Sequence, residues 1–564
     1  LGCRRCGSVW RGARVGEAGR RVPEADTLDR LIEDKIGTGE WENRVVKSDS
    51  FFVNASTWAL LLTGRVVKLK DAGGANPLNA VKRLVARSGE PVIRKAVRQA
   101  VKILGDQFVL GRTIKEALAR AQAYQEKGYL FSYDMLGEAA RTQKDADIYY
   151  ERYMAAVESV GQAAGPFATM HHDALYARPG ISVKLSALHP RFEAGKEARL
   201  SEELMPRLIS LARAARSRGL SLTIDAEEQD RLDPTLEFFA AAFTDPALDK
   251  WNGLGLAVQA YGKRAVPTLR WLRRLADRAG KRIPVRLVKG AYWDSEIKWA
   301  QERGLSNYPV FTRKLNTDMS YLACMRLLLG DPKAFYPQFA THNAQAIAAA
   351  HVAGGPNTFE FQRLHGMGEA LYDEVVGKGK LNRPCRIYAP VGGHEDLLGY
   401  LVRRLLENGA NTSFVNRLAD DEAPVADIIR DPIEQGERER SSGKGAPHPI
   451  ALPRDIFMPE RKAAAGLPLS EPSVREQLVA EMGAALDDSF DAGPIVDGEM
   501  TSGGDSASLV TCPHDRRERI GTVHITTPEQ GDAAIACAAG ASLSWDRMGG
   551  PARAEILEAA ADLF

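Results

Sequence analysis

Cysteine, net charge and long apolar runs are all scarce in this chain. Its 564 residues include 6 cysteines, too few and too scattered for a disulfide framework, which favours a reducing compartment. Lysine and arginine total 75 against 73 acidic residues, so a net charge of +2 creates no overall field toward nucleic acid or anionic lipid. No apolar stretch approaches the roughly 18 residues of a membrane span. These absences predict a cytoplasmic protein, at most peripheral on the inner face of a membrane.

Motifs for metal and nucleotide binding are missing as well. Cys3 and Cys6 form a CxxC without the second pair that a four-ligand zinc site needs, so we interpret them as incidental thiols. The sequence has no HxH, HExxH or GxSxG, and its glycine-rich spots lack the GxGxxG and GxxxxGK[ST] spacings. We therefore expect no metal site.

The composition is that of a globular protein of several domains, with 44% hydrophobic and 26% charged residues. An arginine-rich, acid-poor leader over 1–27 has no assigned structure, and residues 28–127 show apolar spacing typical of an all-helical region. Residues 128–420 alternate short apolar runs with amphipathic helices. Residues 421–468 have the composition of a linker, and 469–564 are predicted to start another α/β domain that is cut short.

The alternating region predicts the fold class. Eight apolar runs read as strands: Phe131–Leu136, Ile181–Leu185, Leu222–Asp225, Leu256–Gln259, Val285–Val288, Gln338–Thr341, Phe359–Gln362 and Arg386–Ala389. The stretches between them read as helices: Asp147–Val160, Leu204–Arg218, Leu232–Phe243, Val266–Ala279, Tyr321–Leu329, Ala344–Val352 and Glu395–Glu407. Eight strand and helix pairs over about 290 residues match a closed (β/α)8 barrel of the TIM type. A doubly wound open sheet is the alternative.

Polar residues end most of the predicted strands. Because the active site of such a barrel lies at the carboxyl ends of the strands, we expect these side chains to line one rim. They include Lys184, Asp225, Gln259, Lys289 and Thr341. A rim that is basic and aromatic with few acids suits a large, flat, anionic cofactor, and flavin is the cofactor that this chemistry favours.

The last predicted helix places two arginines on one face. At 100° per residue, Arg403 and Arg404 share a face with Tyr400 and Glu407, opposite a leucine-rich stripe. Guanidinium forks bind carboxylates or phosphates bidentately, which predicts an anionic substrate or a cofactor pyrophosphate. The alternative is a solvated face with an Arg403–Glu407 ion pair.

From about Leu28 to Asp420, the chain resembles the proline dehydrogenase part of the bifunctional bacterial proline utilization A flavoenzymes. The resemblance rests on Phe51–Ala55, Ser132–Glu138, Val183–Pro190, Ile224–Glu228, Arg286–Asp294, Phe339–Asn343, Leu364–Glu369, Arg386–Val391 and Tyr400–Asn416. It implies a barrel that binds FAD, oxidises L-proline to Δ1-pyrroline-5-carboxylate and passes the electrons to a membrane quinone.

The resemblance also implies a role for each matching residue. Arg403 and Arg404 would clamp the proline carboxylate, and Lys184, Asp225 and Tyr292 would lie around the substrate and order the arginine pair. The side chains that would wall the proline ring are Leu364, Tyr388 and Tyr400. The side chains that would hold the flavin, with Arg286 beside the ring nitrogen that accepts hydride, are Gln259, Arg286, Lys289, Trp293, Thr341, His342 and Glu407.

The segment after the linker resembles the opening of an aldehyde dehydrogenase domain, which in these enzymes uses NAD to oxidise glutamate semialdehyde. We assign no second active site, because Cys512 and Cys537 lie too early to be its catalytic cysteine. The resemblance implies a homo-oligomer in the full-length form. The leader shows no pattern of the DNA-binding segment that some members carry, so DNA binding is not supported by this chain, and a repressor role is neither supported nor excluded.

Two other functions stay open at the level of sequence. A Schiff-base lyase or aldolase on the same barrel would use Lys184 or Lys289 as a nucleophile. A DNA-binding regulator of proline genes would need a basic ribbon or helix.

Overall fold

A computed structural model gives the fold. It describes residues 105, 107–167, 172–356, 358–393, 400, 403–404, 430–442, 450–486, 490–500 and 507–563. The chain divides into two compact units, residues 1–471 and 472–564. Most of the predicted helical region at 28–127 and the leader at 1–27 lie outside the described residues.

The first unit contains a closed barrel of eight strands in sequence order. Each strand pairs in parallel with the next, and β8 closes the barrel on β1, with Ser132 opposite Tyr388. The strands are β1 (Tyr129–Met135), β2 (Gly180–Val183), β3 (Ser221–Ile224), β4 (Leu254–Gln259), β5 (Ile283–Val288), β6 (Phe335–Ala340), β7 (Glu360–Leu364) and β8 (Cys385–Val391). Every predicted strand overlaps one of these, so the predicted (β/α)8 barrel is confirmed and the open sheet is wrong.

Helices surround the barrel and bury its outer face. They are α1 (Ile114–Gln125), α2 (Gln143–Ala164), α3 (His172–Tyr176), α4 (Leu185–Leu188), α5 (Glu197–Glu203), α6 (Met205–Ser217), α7 (Leu232–Phe243), α8 (Ala265–Ala279), α9 (Trp293–Glu302), α10 (Lys314–Leu329), α11 (Ala344–Gly354) and α12 (Glu369–Asp373). The predicted helix Leu232–Phe243 coincides with α7. Of the predicted helix Glu395–Glu407, only residues 400, 403 and 404 are described, and they are helical. None of the described helices is long and apolar enough to cross a membrane.

Local sequence signals explain the element boundaries. Thr142 caps α2, because its hydroxyl accepts the Asp145 backbone N–H at 3.2 Å while the Asp145 carboxylate accepts the Thr142 N–H at 2.9 Å. Strands β2, β3 and β4 are buried along their whole length. Strands covered on both faces read as continuous apolar runs, which is why the sequence could locate them.

The predicted linker at 421–468 contains regular structure where it is described. Helix α13 (Pro432–Ser441) lies in it, and Arg313 pairs with Glu439 across 2.6 Å. Farther along, the Tyr308 hydroxyl donates to the Ala451 carbonyl at 2.6 Å. The segment therefore contacts the helices and loops around the barrel, and the domain boundaries drawn from sequence stay predictions.

Within residues 472–486, 490–500 and 507–563, the second unit contains three helices and two small sheets. The helices are α14 (Pro472–Leu486), α15 (Pro528–Arg547) and α16 (Gly549–Leu563). Strands β10 (Ile495–Val496) and β11 (Glu499–Met500) form a hairpin, and the order of the second sheet is β12 (Ala507–Thr511), β13 (Arg519–His524), β9 (Phe490–Ala492).

A buried ion pair fills the amino-terminal half of the barrel interior. Arg386 of β8 donates from Nε to Glu360 Oε1 at 2.7 Å and from Nη2 to Glu360 Oε2 at 2.9 Å. The same guanidinium donates to three backbone carbonyls, including that of Phe131 at 3.1 Å. Both side chains are at most 2% exposed, so the pair has no access to water. Removal of either partner would leave an uncompensated charge inside the barrel.

We expect Arg386→Met to lower the free energy of unfolding by about 3–5 kcal/mol, because Glu360 and three carbonyls lose their donor in a dry interior. The matched control is Arg438→Met, which removes an arginine that is 73% exposed and paired with Glu434 four residues away. The control should cost less than about 0.5 kcal/mol. Urea denaturation of the barrel measures both values, and equal effects would contradict the prediction.

A buried carboxyl group ties α9 to the loop that follows β3. Glu296 is 4% exposed, and its Oε1 accepts the backbone N–H of Gln229 at 2.7 Å. Burial raises the pKa of Glu296 to about 8. The group is therefore protonated in the folded protein at neutral pH, whereas in the unfolded chain it ionises near pH 4.3.

This difference gives stability a definite pH dependence. Between about pH 4.3 and 8 the folded state holds a proton that the unfolded state releases, so the contribution of Glu296 to stability falls as the pH rises. Glu296→Gln keeps an acceptor for Gln229 and cannot ionise. We expect the free energy of unfolding of this variant, relative to that of the parent, to be at least about 1 kcal/mol higher at pH 9 than at pH 5.

The control for this experiment is Glu302→Gln on the same helix, at a side chain that is 50% exposed. Its difference from the parent should not change between the two pH values. Unfolding free energies measured in urea at pH 5 and pH 9 test both variants, and a flat difference for Glu296→Gln would refute the assignment.

Candidate functional site

A network of four buried groups lies at the carboxyl end of the barrel. The Lys184 ammonium donates to Asp134 Oδ2 at 3.0 Å, to Asp225 Oδ2 at 3.1 Å and to the Tyr388 hydroxyl oxygen at 3.2 Å. The Tyr388 hydroxyl lies 2.6 Å from Asp134 Oδ2 and 2.7 Å from Asp225 Oδ2, so its proton is donated to one or the other carboxylate. Strands β1 and β8 and the residues that directly follow β2 and β3 thus each supply one member.

Arg286 of β5 completes this network from below the rim. Its Nη1 donates to Asp225 Oδ1 at 2.5 Å, and its Nη2 donates to Ser132 Oγ at 3.2 Å and Ser182 Oγ at 3.0 Å. The guanidinium carbon lies 5.1 Å from the centre of the Tyr388 ring. Two cations and two carboxylates therefore lie within one cluster, and Arg286, predicted as a cofactor residue, contacts Asp225 of the predicted substrate residues.

The charges of the network follow from its contacts. Burial alone would lower the pKa of Lys184, but Asp134, Tyr388 and Asp225 outweigh it and raise that pKa well above its usual value. Burial also favours the neutral form of Asp225, yet Lys184 and Arg286 hold its pKa below the usual range. The pKa of Asp134 is raised by burial, which Lys184 offsets only in part. Lys184 is thus a fixed ammonium rather than a free amine.

Gln362 connects this network to the ion pair deeper in the barrel. Its Oε1 accepts from Arg286 Nε at 2.7 Å, and its Nε2 donates to Glu360 Oε1 at 2.8 Å. Since an amide has a donor at one end and an acceptor at the other, Glu360 below and Arg286 above fix its orientation. Each of the three guanidinium nitrogens of Arg286 therefore donates a hydrogen bond to a protein side chain.

Arg403 is buried at the rim and pairs with Glu138, a carboxylate to which the sequence analysis gave no role. Its Nη1 and Nη2 donate to the two carboxylate oxygens of Glu138 at 2.5 and 2.7 Å. Its guanidinium carbon lies 5.1 Å from the centre of the Tyr292 ring. The alternative of a solvated helix face is wrong, because Arg403 and Arg404 are only 7% and 6% exposed.

The residues predicted to wall a substrate ring come together in one apolar cluster. Tyr400 is buried in it, and Leu364 and Tyr388 pack against it at the carboxyl ends of β7 and β8. The other buried members are Phe108, Val109, Leu136 and Met367. The guanidinium carbon of Arg404 lies 5.2 Å from the centre of the Tyr400 ring. An aromatic wall and two buried arginines thus occupy the same end of the barrel.

The remaining predicted cofactor residues follow β4, β5 and β6. Gln259 ends β4 and donates from Nε2 to the Glu227 carbonyl at 2.7 Å, and Lys289 follows β5 and pairs with Asp318. The Trp293 indole donates to the Phe311 carbonyl at 2.9 Å. Neighbouring strand ends therefore place these polar groups on adjacent parts of the rim, where protein contacts hold them.

His342 and Thr341 extend this arc to the end of β6. His342 Nε2 accepts the Leu364 backbone N–H at 3.2 Å, and the His342 side chain is partly exposed. The Thr341 carbonyl accepts the Tyr372 hydroxyl at 2.7 Å. Glu407 lies outside the described residues, so its predicted cofactor contact stays a prediction.

A glycine shapes the turn that presents this arc. Gly290, between Lys289 and Ala291, has a φ of +127°, and a Cβ there would lie 2.6 Å from the Tyr261 ring. A side chain at this position would both strain the backbone and displace the ring. The turn after β5 therefore requires glycine.

The chemistry of the arc fits a flat, anionic cofactor. It offers an ammonium, an indole, an imidazole and an amide, and Arg286 carries a permanent positive charge beneath them. Cations and hydrogen-bond donors suit phosphate groups and an aromatic ring system that gains negative charge.

Sequence reasoning missed Asp134, Glu138, Gln362 and the two serines that bind Arg286. Asp134 and Glu138 lie within the stretch Ser132–Glu138, which carried part of the family resemblance, but no role was assigned to them. A carboxylate inside an otherwise apolar strand was the available signal for Asp134. No comparable local signal marks Glu138, because its partner Arg403 lies 265 residues away.

Comparisons with known proteins identify the family of the chain. The chain matches the family described as proline dehydrogenase over residues 117–417. It is 46% identical to the bifunctional protein PutA of Escherichia coli, over 98% of this chain and 42% of that protein. It is 28% identical to proline dehydrogenase 1 of Bacillus subtilis, over 55% of this chain and 88% of that protein.

A crystal structure of a proline utilization A variant from Bradyrhizobium japonicum has a TM-score of 0.67 and 41% identity to the chain. The alignment covers 94% of this chain and 49% of that one. The chain thus spans less than half the length of the bifunctional relatives it matches.

One comparison corrects an expectation from sequence. Residues 13–108 match the family described as the DNA-binding domain of proline dehydrogenase. The interpretation that this chain gives no support for a DNA-binding segment was therefore wrong, and the match begins inside the leader drawn at 1–27. The search for a DNA-binding pattern was confined to the leader, whereas the match extends over about 100 residues, most of them beyond it.

The proline dehydrogenase match covers more than half of the residues, from α1 through all eight strands of the barrel to beyond the arginine pair. The chain belongs to the proline dehydrogenase family.

Proposed function

We propose that the barrel oxidises L-proline to Δ1-pyrroline-5-carboxylate, with FAD as the cofactor. The observation that carries this proposal is the arrangement at the rim, where Arg403 and Arg404 lie with Tyr388 and Tyr400 at one end of a barrel of this family. Proline has one anionic group and one apolar ring, and the rim offers a complement to each.

The proposed roles follow from the contacts. Arg404 and Arg403 bind the carboxylate. A substrate that reaches Arg403 either displaces Glu138 from the guanidinium or shares the guanidinium with Glu138. Leu364, Tyr388 and Tyr400 enclose the ring and exclude water from the reacting carbon.

The charged network beneath the ring supplies the electrostatics. Bound FAD would supply the acceptor for the hydride that leaves the ring carbon beside nitrogen that does not carry the carboxylate. Arg286 stabilises the negative charge that develops above it, and the surrounding carboxylates, serines and Gln362 keep it in place. Lys184 donates to both Tyr388 and Asp225. The side chains that enclose the ring and the charged network are therefore connected by hydrogen bonds.

The charge state of Lys184 disfavours the Schiff-base alternative. A Schiff base needs a neutral amine, whereas two carboxylates raise the pKa of this ammonium well above its usual value. Lys289, the other candidate, pairs with Asp318. Neither lysine has the environment of an activated nucleophile.

Anaerobic reduction by proline tests the main proposal. We expect the purified chain to carry a flavin whose visible absorbance bleaches when L-proline is added, because the hydride has no other acceptor. D-Proline and L-alanine serve as controls and should leave the absorbance unchanged. A chain that binds no flavin, or a flavin that proline does not bleach, would contradict the proposal.

Replacement of the arginine clamp separates substrate binding from cofactor binding. We expect Arg404→Met to raise the KM for proline about ten- to hundredfold, through loss of a charged hydrogen bond to the carboxylate, with the flavin content unchanged. Arg404→Lys keeps the positive charge but loses the bidentate geometry, so its KM for proline should lie between those of the parent and of Arg404→Met. The control is Arg438→Met on the exposed face of α13. Unchanged proline kinetics in Arg404→Met would refute the clamp.

A second candidate function rests on the match of residues 13–108. We propose that this segment binds DNA, in line with the description of the matched family. Fluorescence anisotropy with labelled duplex DNA measures it. Binding should weaken as salt is raised, because cationic side chains release counterions from phosphate. Absence of binding at low salt would contradict this proposal without affecting the barrel.

The remaining partners are proposed from the relatives. Electrons would leave the flavin for a membrane quinone, at a cytoplasmic barrel in peripheral contact with the membrane. The NAD-dependent oxidation of glutamate semialdehyde would belong to the longer proteins, as would homo-oligomer formation. The 46% identity to a bifunctional PutA supports this group of proposals.

A further inference from the structure

The turn between β12 and β13 in the second unit brings three potential metal ligands together. Cys512, His514 and Glu518 each offer one ligand atom, and these atoms all lie within 4.8 Å of one another. The Cys512 sulfur and His514 Nδ1 are 2.8 Å apart. None of the three residues takes part in the barrel site, which belongs to the other unit.

The backbone holds this turn closed without using the three side chains. Strands β12 and β13 pair up to Thr511 and Arg519, and the Cys512 N–H donates to the Glu518 carbonyl at 3.0 Å. The Cys512 and Glu518 backbones are thus fixed opposite each other. The side chains can then meet over the turn with little further loss of entropy.

A second contact orders the middle of the turn. The Asp515 carboxylate accepts the Arg517 backbone N–H at 3.1 Å and the Arg517 Nη2 at 2.5 Å. Asp515 and Arg517 of the turn therefore pair with each other, while Arg516 and Arg519 are the other cations of the turn. Cys512, His514 and Glu518 therefore remain as the ligand set of the turn.

The ligand types select one class of metal. We propose that the turn binds one divalent transition-metal ion of the zinc class through Cys512 Sγ, His514 Nδ1 and a carboxylate oxygen of Glu518, with solvent in the fourth position. Thiolate and imidazole favour zinc and its neighbours over magnesium or calcium. One thiolate and one carboxylate balance the charge of the ion.

The geometry needs only a small adjustment. With zinc bonds of about 2.0–2.3 Å and tetrahedral angles, ligand atoms lie roughly 3.4–3.6 Å apart. Side-chain rotation within the turn can open the Cys512–His514 separation and draw in Glu518, since His514 and Glu518 are exposed. On binding, the Cys512 thiol gives its proton to solvent as the sulfur–metal bond forms, so affinity falls as the pH is lowered.

Cobalt(II) is the probe for this site, because a thiolate ligand gives it a charge-transfer band that is visible by absorbance. The experiment uses the whole chain with Cys3→Ser and Cys6→Ser, so that the CxxC cannot compete. We expect one cobalt ion per chain, a band that zinc abolishes by displacement, and no effect of magnesium.

Single substitutions in this background assign the ligands. Cys512→Ser should abolish the band, and His514→Gln and Glu518→Gln should each weaken cobalt binding at least about tenfold. The matched controls are Cys537→Ser, an exposed cysteine of the same unit, and His524→Gln at the end of β13. Both should bind cobalt as the background does.

Two results would overturn the proposal. One is the absence of a band with circular dichroism showing a folded chain, which would leave only a thiol–imidazole hydrogen bond. The other is a band that survives in Cys512→Ser. Neither result bears on proline oxidation, which is measured on the other unit.

Discussion

The barrel depends on the balance of charge in its interior. Closing eight strands around polar side chains excludes water, so each buried ion must find its counter-ion within the barrel. Two acids and two bases do so near the rim, and Glu360 with Arg386 does so deeper down. The strands, not flexible loops, supply most of these groups. The same packing that stabilises the fold therefore also fixes the electrostatic environment of the candidate site.

The arginines at the rim have a different setting from those in the interior. Arg286 is bound on every nitrogen by protein groups, so it acts as a fixed positive charge. Arg403 is held by one carboxylate and an aromatic ring, and Glu138 is itself part-exposed at 17%. A ligand can replace a single carboxylate far more readily than a whole set of buried partners. A ligand can therefore reach Arg403 more easily than Arg286.

Sequence predicted the barrel well, because strands buried on both faces leave apolar runs that are hard to mistake. The strand ends also predicted that Lys184 and Asp225 would lie on one rim, and the family resemblance implied that Tyr388 lies near them. Sequence could not pair them, since Tyr388 reaches Asp134 across 254 residues only when β8 closes on β1. The contact of Glu138 with Arg403 joins the same two ends of the barrel, and Gln362 meets Arg286 across the barrel interior; no spacing along the chain encodes either contact.

Gln362 has a further consequence for the interior of the barrel. A carboxylate at this position would offer a titratable oxygen between Glu360 and Arg286, and protons could move from one layer to the other. The amide has no proton to release at any accessible pH. Gln362 therefore fixes the orientation of Arg286 relative to Glu360 but passes no proton between the lower ion pair and the upper network. The lower ion pair can support the upper network mechanically while remaining outside its acid–base chemistry.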